Sequence, residues 1–151
     1  MVKIYWAAPL HGEYEREHND TCVKMLRDAG HLVYVPHEHG VWEDMVKEVL
    51  AHDPAMTREA AELRVRKNLF IADKEAVEKC DIVVACGTHE DGSPSEGMIW
   101  EMGYAAGLRK PVYLINPEEK HWDYNLMPEF GSVVFPDVQS VIDHLAFEEF
   151  V

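Results

Sequence analysis

Hydrophobic and polar positions along the chain alternate between a strand-like and a helix-like period. Val2 to Ala8 (VKIYWAA) is rich in β-branched and aromatic residues and stops at Pro9, as a central strand does at its carboxyl end. Residues 13–29 then read as a helix, with Cys22, Val23, Leu26 and Ala29 on its inner side and Gly30 as its C-terminal stop. His31 to Val35 (HLVYV) predicts a second strand, closed by Pro36, and His37-Glu38-His39-Gly40 a polar loop. Trp42 to Ala51 predicts a short helix broken at Asp53-Pro54. From Thr57 to Lys79 the apolar residues give a mixed pattern rather than one stripe, which fits either a kinked helix or two helices.

Asp81 to Cys86 (DIVVAC) is nearly all apolar, the mark of a strand covered on both faces in a parallel sheet. A glycine-containing loop and a helix follow, and Lys110-Pro111 ends that helix before a fourth strand, VYLI, through Ile115. Residues 116–131 read as a long connection without regular structure, a kind of loop that is usually functional in compact domains. Ser132 to Phe135 predicts a fifth strand and Val138 to Phe147 a last helix. Strands alternating with helices predict an α/β fold. We expect one domain over residues 1–151, with a five-stranded parallel sheet in flavodoxin-like (Rossmann-like) order 2-1-3-4-5 and helices on both faces.

In such sheets ligands bind beyond the carboxyl ends of the strands, at the switch point between strands 1 and 3. That topology gathers Ala7 and Pro9 after strand 1, His37 after strand 2, and Ser95, Glu96 and Gly97 after strand 3 as candidate substrate-binding residues. The stretch after strand 3 is the most informative. Ser93 and Glu96 have capping-box spacing, and Pro94 suits a first helical position, so a helix should begin near Ser93 or Ser95. On it, Gly97, Glu101, Tyr104, Ala105 and Leu108 recur at three- and four-residue spacing, a face that is apolar apart from Glu101. A carboxylate there is either a structurally paired acid or a working group, because burial without a partner raises its pKa.

The apolar share of 47% and charged share of 28% are those of a soluble globular protein. No apolar run reaches membrane-span length and the start MVKIYWAAP lacks the regions of a signal peptide, so a cytoplasmic location is expected. A net charge of −14 with pI about 4.9 argues against nucleic-acid and membrane partners, since both need basic patches to meet phosphate. A small-molecule ligand or a protein partner is left. Cys22, Cys80 and Cys86 show neither an even disulfide framework nor close metal-type pairing and read as small core residues in a reducing compartment.

Lys3-Ile-Tyr-Trp-Ala-Ala-Pro9, Asp73 followed by Cys80-Asp-Ile-Val-Val-Ala85, Ser95-Glu-Gly-Met-Ile-Trp-Glu101-Met-Gly-Tyr-Ala105 and Tyr124-Asn-Leu-Met127 together resemble the nucleoside 2-deoxyribosyltransferase family. The resemblance implies exchange of bases on 2-deoxyribose, without a cofactor and without a metal. Nucleosides and nucleobases are the implied partners, and a homo-oligomer with shared sites the implied assembly. Glu101 would be the nucleophile that forms a glycosyl ester, by the two-step logic of retaining glycosidases. Tyr5 would orient it, Asp73 would be a pocket acid able to protonate the leaving base, and Asn125, with Met127 nearby, would complete the site of a neighbouring subunit.

The chain departs from the transferase pattern at Ser95, where many members carry an aspartate that contacts the base. A serine resembles instead the related 2-deoxynucleoside 5′-monophosphate N-glycosidases, in which the hydroxyl and a helix N-terminus help hold phosphate. Glu96 opposes a phosphate there, and Glu96 or Asp91 could take over base contact. A non-catalytic nucleotide-binding module is the third reading.

Plainer readings stand beside these. His37 and His39 could be metal ligands, but no further ligands sit at metal-site spacing, which leaves base contact or a simple loop. Trp6 and Trp42 could stack on a base or belong to the core, while Met98 and Trp100, flanking Glu101, are expected to pack against the sheet. Asp73 could be a solvated helix acid, Asn125 a turn cap, and Gly97 a helix-packing residue. Cys86, at the end of strand 3, is either a reactive or a buried structural thiol.

Overall fold

The structure, a computed structural model, describes residues 1–9, 13–86, 95–116 and 131–148. Its elements in order are β1 (Lys3–Ala7), α1 (Glu13–Asp28), β2 (Leu32–Tyr34), a 3-10 turn (Pro36–His39), α2 (Trp42–His52), α3 (Arg58–Lys79), β3 (Ile82–Cys86), α4 (Glu96–Gly107), β4 (Val112–Ile115), β5 (Val133–Phe135) and α5 (Val138–Glu148). The five strands form one sheet in the order β2-β1-β3-β4-β5, and every pairing is parallel. Among the described residues no helix is long and apolar enough to cross a membrane.

The strands at the centre are covered on both faces, as their continuous apolar runs require. On one face Ile4, Trp6, Ile82, Val84, Cys86, Tyr113 and Ile115 pack with Cys22, Val23 and Leu26 of α1 and with Val138, Val141 and Leu145 of α5. On the other, Tyr5, Ala7, Val83, Ala85, Val112 and Leu114 meet Val77 of α3 and Met98, Met102 and Ala105 of α4. The two faces alternate residue by residue, so the neighbours Tyr5 and Trp6 are committed to opposite sides of the sheet.

Two expectations change. The segment 57–79 is not divided into two helices: α3 runs unbroken from Arg58 to Lys79, with Thr57 capping it by accepting from the Ala60 N–H at 3.2 Å. Its apolar residues serve two partners. Ala61 and Val65 pack with Val46 of α2, whereas Val77 packs on the sheet, so no single stripe runs its length. The polar loop after β2 is a 3-10 turn rather than irregular chain, started by Pro36 and left at Gly40 with φ of 124°. As expected, Gly30 ends α1: it takes φ of 89°, and the His31 N–H turns back to the Leu26 carbonyl at 3.2 Å.

Candidate active site

Parallel pairing sets Tyr5 of β1 opposite Tyr34 of β2, and their rings stack with centroids 5.5 Å apart. Both side chains point to the α3–α4 side. The Tyr5 hydroxyl reaches α4 and donates to Glu101 Oε1 at 2.6 Å. The Tyr34 hydroxyl reaches α3 and the turn, donating to Asp73 Oδ1 at 3.0 Å and lying 2.5 Å from His39 Nε2. His39 Nε2 is also 2.9 Å from Asp73 Oδ1, so a proton on that nitrogen serves both oxygens. The result is a continuous polar group, Glu101–Tyr5 beside Tyr34–Asp73–His39, on an otherwise apolar floor.

Burial drives the electrostatics. Removal from water raises the Glu101 carboxyl from 4.5 to about 7, the Tyr5 hydrogen bond opposes that rise, and Asp73 adds to it by like-charge repulsion. The Tyr5 phenol is pushed well above its ordinary range, first by burial and then by Glu101. Tyr34 is raised as well, by burial and then by Asp73. Both phenols therefore stay protonated and act as donors. A carboxyl poised near neutrality, held by a fixed O–H donor, is suited to act as a nucleophile or an acid–base group.

The inward stripe of α4 is Met98, Met102 and Ala105, with Glu101 and Tyr104 on its flank. This corrects the expected face: Gly97 is exposed and Leu108 is 41% exposed. Trp100 does not pack against the sheet either. It stands two residues from Met98, hence on the opposite side of the helix, where it is 46% exposed, stacks on Tyr104 at 5.1 Å and meets the edge of Phe70 at 5.4 Å. Trp6 is wholly buried core, and Trp42 packs against the Val46, Ala61 and Val65 cluster.

The other candidates fall into four groups. Ala7 and Pro9 are buried at the end of β1, where the Asn19 amide donates to the Pro9 carbonyl at 2.9 Å and accepts from the Trp6 indole at 3.3 Å. Ser95 is the N-cap of α4 and accepts from the Met98 N–H at 3.5 Å, with Glu96 and Gly97 exposed in the first turn, one turn ahead of Glu101. His37 faces the opposite way from His39, with Nε2 3.2 Å from Asp20 of α1. Asp91, Ser93, Pro94, Asn125, Met127 and nearly all of the connection 116–131 lie outside the described residues.

Sequence reasoning missed Tyr34 altogether and weighed His39 as a metal ligand, a base contact or a loop residue. A signal existed, since strand alternation sets Tyr34 apart from the inward pair Val33 and Val35. The partnership itself depends on β1–β2 register, which no local pattern displays. Beside the polar group a cleft of about 680 Å³ opens between α2 and α3, lined by His39, His52, Arg64 and Asn68 among others, a size suited to a small-molecule ligand.

The family model described as nucleoside 2-deoxyribosyltransferase matches residues 4–140 of the chain. Among solved structures, the 2-deoxyribosyltransferase of the psychrotolerant bacterium Bacillus psychrosaccharolyticus is similar over 93% of this chain and 90% of that one, at 27% identity and a TM-score of 0.66. A conserved protein from Enterococcus faecalis V583 is similar over 98% and 99% of the two chains, at 17% identity and a TM-score of 0.68. The CMP N-glycosidase of Clostridium botulinum covers 95% and 98%, at 13% identity and a TM-score of 0.57. The last two share the fold. No curated protein matches the chain in sequence.

Proposed function

Because the chain belongs to the nucleoside 2-deoxyribosyltransferase family, we propose that it cleaves the N-glycosidic bond of a 2′-deoxynucleoside through a deoxyribosyl–Glu101 ester and passes the sugar to another nucleobase. The observation that carries this reading is the Tyr5–Glu101 hydrogen bond at 2.6 Å, in a site that raises the carboxyl to about 7. In the first step a Glu101 oxygen bonds to the anomeric carbon while the bond to the base breaks, and the base leaves with the electron pair. Tyr5 holds Oε1, which orients the carboxylate and favours its ionised form.

The departing base needs a proton, and we assign its delivery to Asp73 in its protonated form, which carries the proton on the oxygen not bound by His39 and Tyr34 and no longer repels the ionised Glu101. In the second step a nitrogen of the incoming base attacks the same carbon, the ester C–O bond breaks, Glu101 is restored as carboxylate, and the nitrogen's proton returns to Asp73. Water in place of the acceptor would give hydrolysis. Ala7 and Pro9 at the end of β1, together with Gly97, would line the sugar. Asn125 and Met127 of a neighbouring copy would close the site, which makes a homo-oligomer part of the proposal.

The second reading, a 5′-monophosphate N-glycosidase, is favoured by the Ser95 hydroxyl standing at the N-terminus of α4. Against it, that hydroxyl caps the helix and Glu96 adds a negative charge in the first turn. A chromatographic assay with deoxyinosine plus adenine, run beside deoxynucleoside 5′-monophosphates without acceptor, separates the two. Transfer predicts deoxyadenosine in the first tube, lost in Glu101→Ala with the fold intact by circular dichroism. Base release from the monophosphates alone would overturn transfer, and silence with purine and pyrimidine donors alike would favour a binding module.

A further inference from the structure

Across the sheet from Tyr5 and Glu101 lies a group of side chains that the proposed chemistry does not use. His18 and Cys22 sit four residues apart on α1, one above the other on the same face. Cys86 is the last residue of β3 and points to that face, packing in the same core cluster as Cys22. His18 Nε2 lies 3.7 Å from Cys22 Sγ and 3.6 Å from Cys86 Sγ, and the three ligand atoms all lie within 4.8 Å of one another. The two thiols are buried, whereas His18 is exposed and leaves a route from solvent.

We propose that His18, Cys22 and Cys86 form a binding site for a thiophilic divalent cation, Zn(II) in the first instance, that ties α1 to the end of β3. The geometry carries it. With Zn–S near 2.3 Å and Zn–N near 2.0–2.1 Å, adjacent nitrogen and sulfur corners of a tetrahedron stand about 3.6 Å apart. The two N···S separations here match that edge with no movement of the backbone. Two thiolates and one imidazole are a soft donor set of the kind that selects zinc over magnesium or calcium. The fourth corner of the proposed site would be taken by a water molecule.

Charge also balances. Each thiol gives its proton to solvent as its bond to the metal forms, so one ion displaces two protons and the cluster with neutral His18 carries no net charge. A neutral cluster is compatible with the apolar setting of Trp6, Val84 and Leu26. The site sits on the α1–α5 side and Glu101 on the α3–α4 side, so metal occupancy acts by holding the strand end, not by touching the sugar.

The test uses the purified full chain, fully reduced and freed of metal, titrated with Co(II) and then Zn(II). One equivalent of Co(II) should give thiolate-to-cobalt charge-transfer absorption, and one equivalent of Zn(II) should abolish it. Cys22→Ser should remove most of that absorption and Cys80→Ser none of it. His18→Ala, an exposed change that keeps the core intact, should weaken binding by at least about tenfold, the lower end of what even supporting residues of metal sites contribute. Absence of charge transfer in the reduced wild type overturns the proposal, as does equal affinity in His18→Ala. A Cys22–Cys86 disulfide in unreduced protein, with no cobalt binding after reduction, would make the pair a redox element instead.

Discussion

Glu101 has an ordinary carboxyl value of 4.5 in the unfolded chain and about 7 in the fold. Between those values the native state holds a proton that the unfolded state has released, so stability falls as pH rises through that window and is level above it. The full effect is on the order of 3 kcal/mol. Glu101→Gln, a neutral isostere that can still accept from Tyr5, should therefore raise the urea midpoint at pH 8 and leave it unchanged near pH 4. The same shift has the opposite consequence for turnover. A nucleophile must be ionised, so kcat/KM should climb with pH on an acidic limb centred near pH 7. Tyr5→Phe removes the one group that lowers the Glu101 value. That limb should then move to higher pH while maximal kcat falls. A limb that stays in place would mean that another group titrates there.

At the scale of elements, α4 carries a local flaw that can be repaired without touching the site. Its last turn closes with the Lys110 N–H on the Ala105 carbonyl at 3.0 Å and the Arg109 N–H on Ala106 at 2.9 Å, and Arg109 takes φ of 59°. That left-handed conformation suits glycine, as Gly30 shows at the end of α1. Arg109→Gly should stabilise the fold by roughly 1 kcal/mol, read as a higher urea midpoint with an unchanged slope.

The same elements show what a sequence displays and what it hides. The run of Ile82 to Cys86 announces a strand covered on both faces because each residue's own polarity carries the message. The continuity of α3 is not announced, because its two ends answer to different neighbours, α2 and the sheet, and the summed pattern has no single period. The site divides the same way. Glu101 stands out as a carboxylate on a mostly apolar helix, whereas Tyr5 is marked only through the family resemblance. Tyr34 does not stand out, since its role comes from cross-strand register, and Trp100 misleads because size and apolarity suggest core while helix phase turns it outward.

The proposed homo-oligomer would bring together copies of a chain of charge −14, which repel one another, so its assembly should strengthen as salt screens those charges. The assembly bears on function through Asn125, which the proposed site takes from a neighbouring copy. A mixing experiment isolates that feature. Glu101→Ala and Asn125→Ala should each be nearly inactive alone. In a mixed dimer the site built on the Asn125→Ala chain has its own Glu101 and receives Asn125 from its partner, so it is whole, whereas the other site carries both defects. Random pairing makes half of the dimers mixed, so co-expression should recover about a quarter of wild-type activity under isologous two-fold exchange. If each site uses only its own chain, no pairing can restore one, and activity stays at the level of the separate variants.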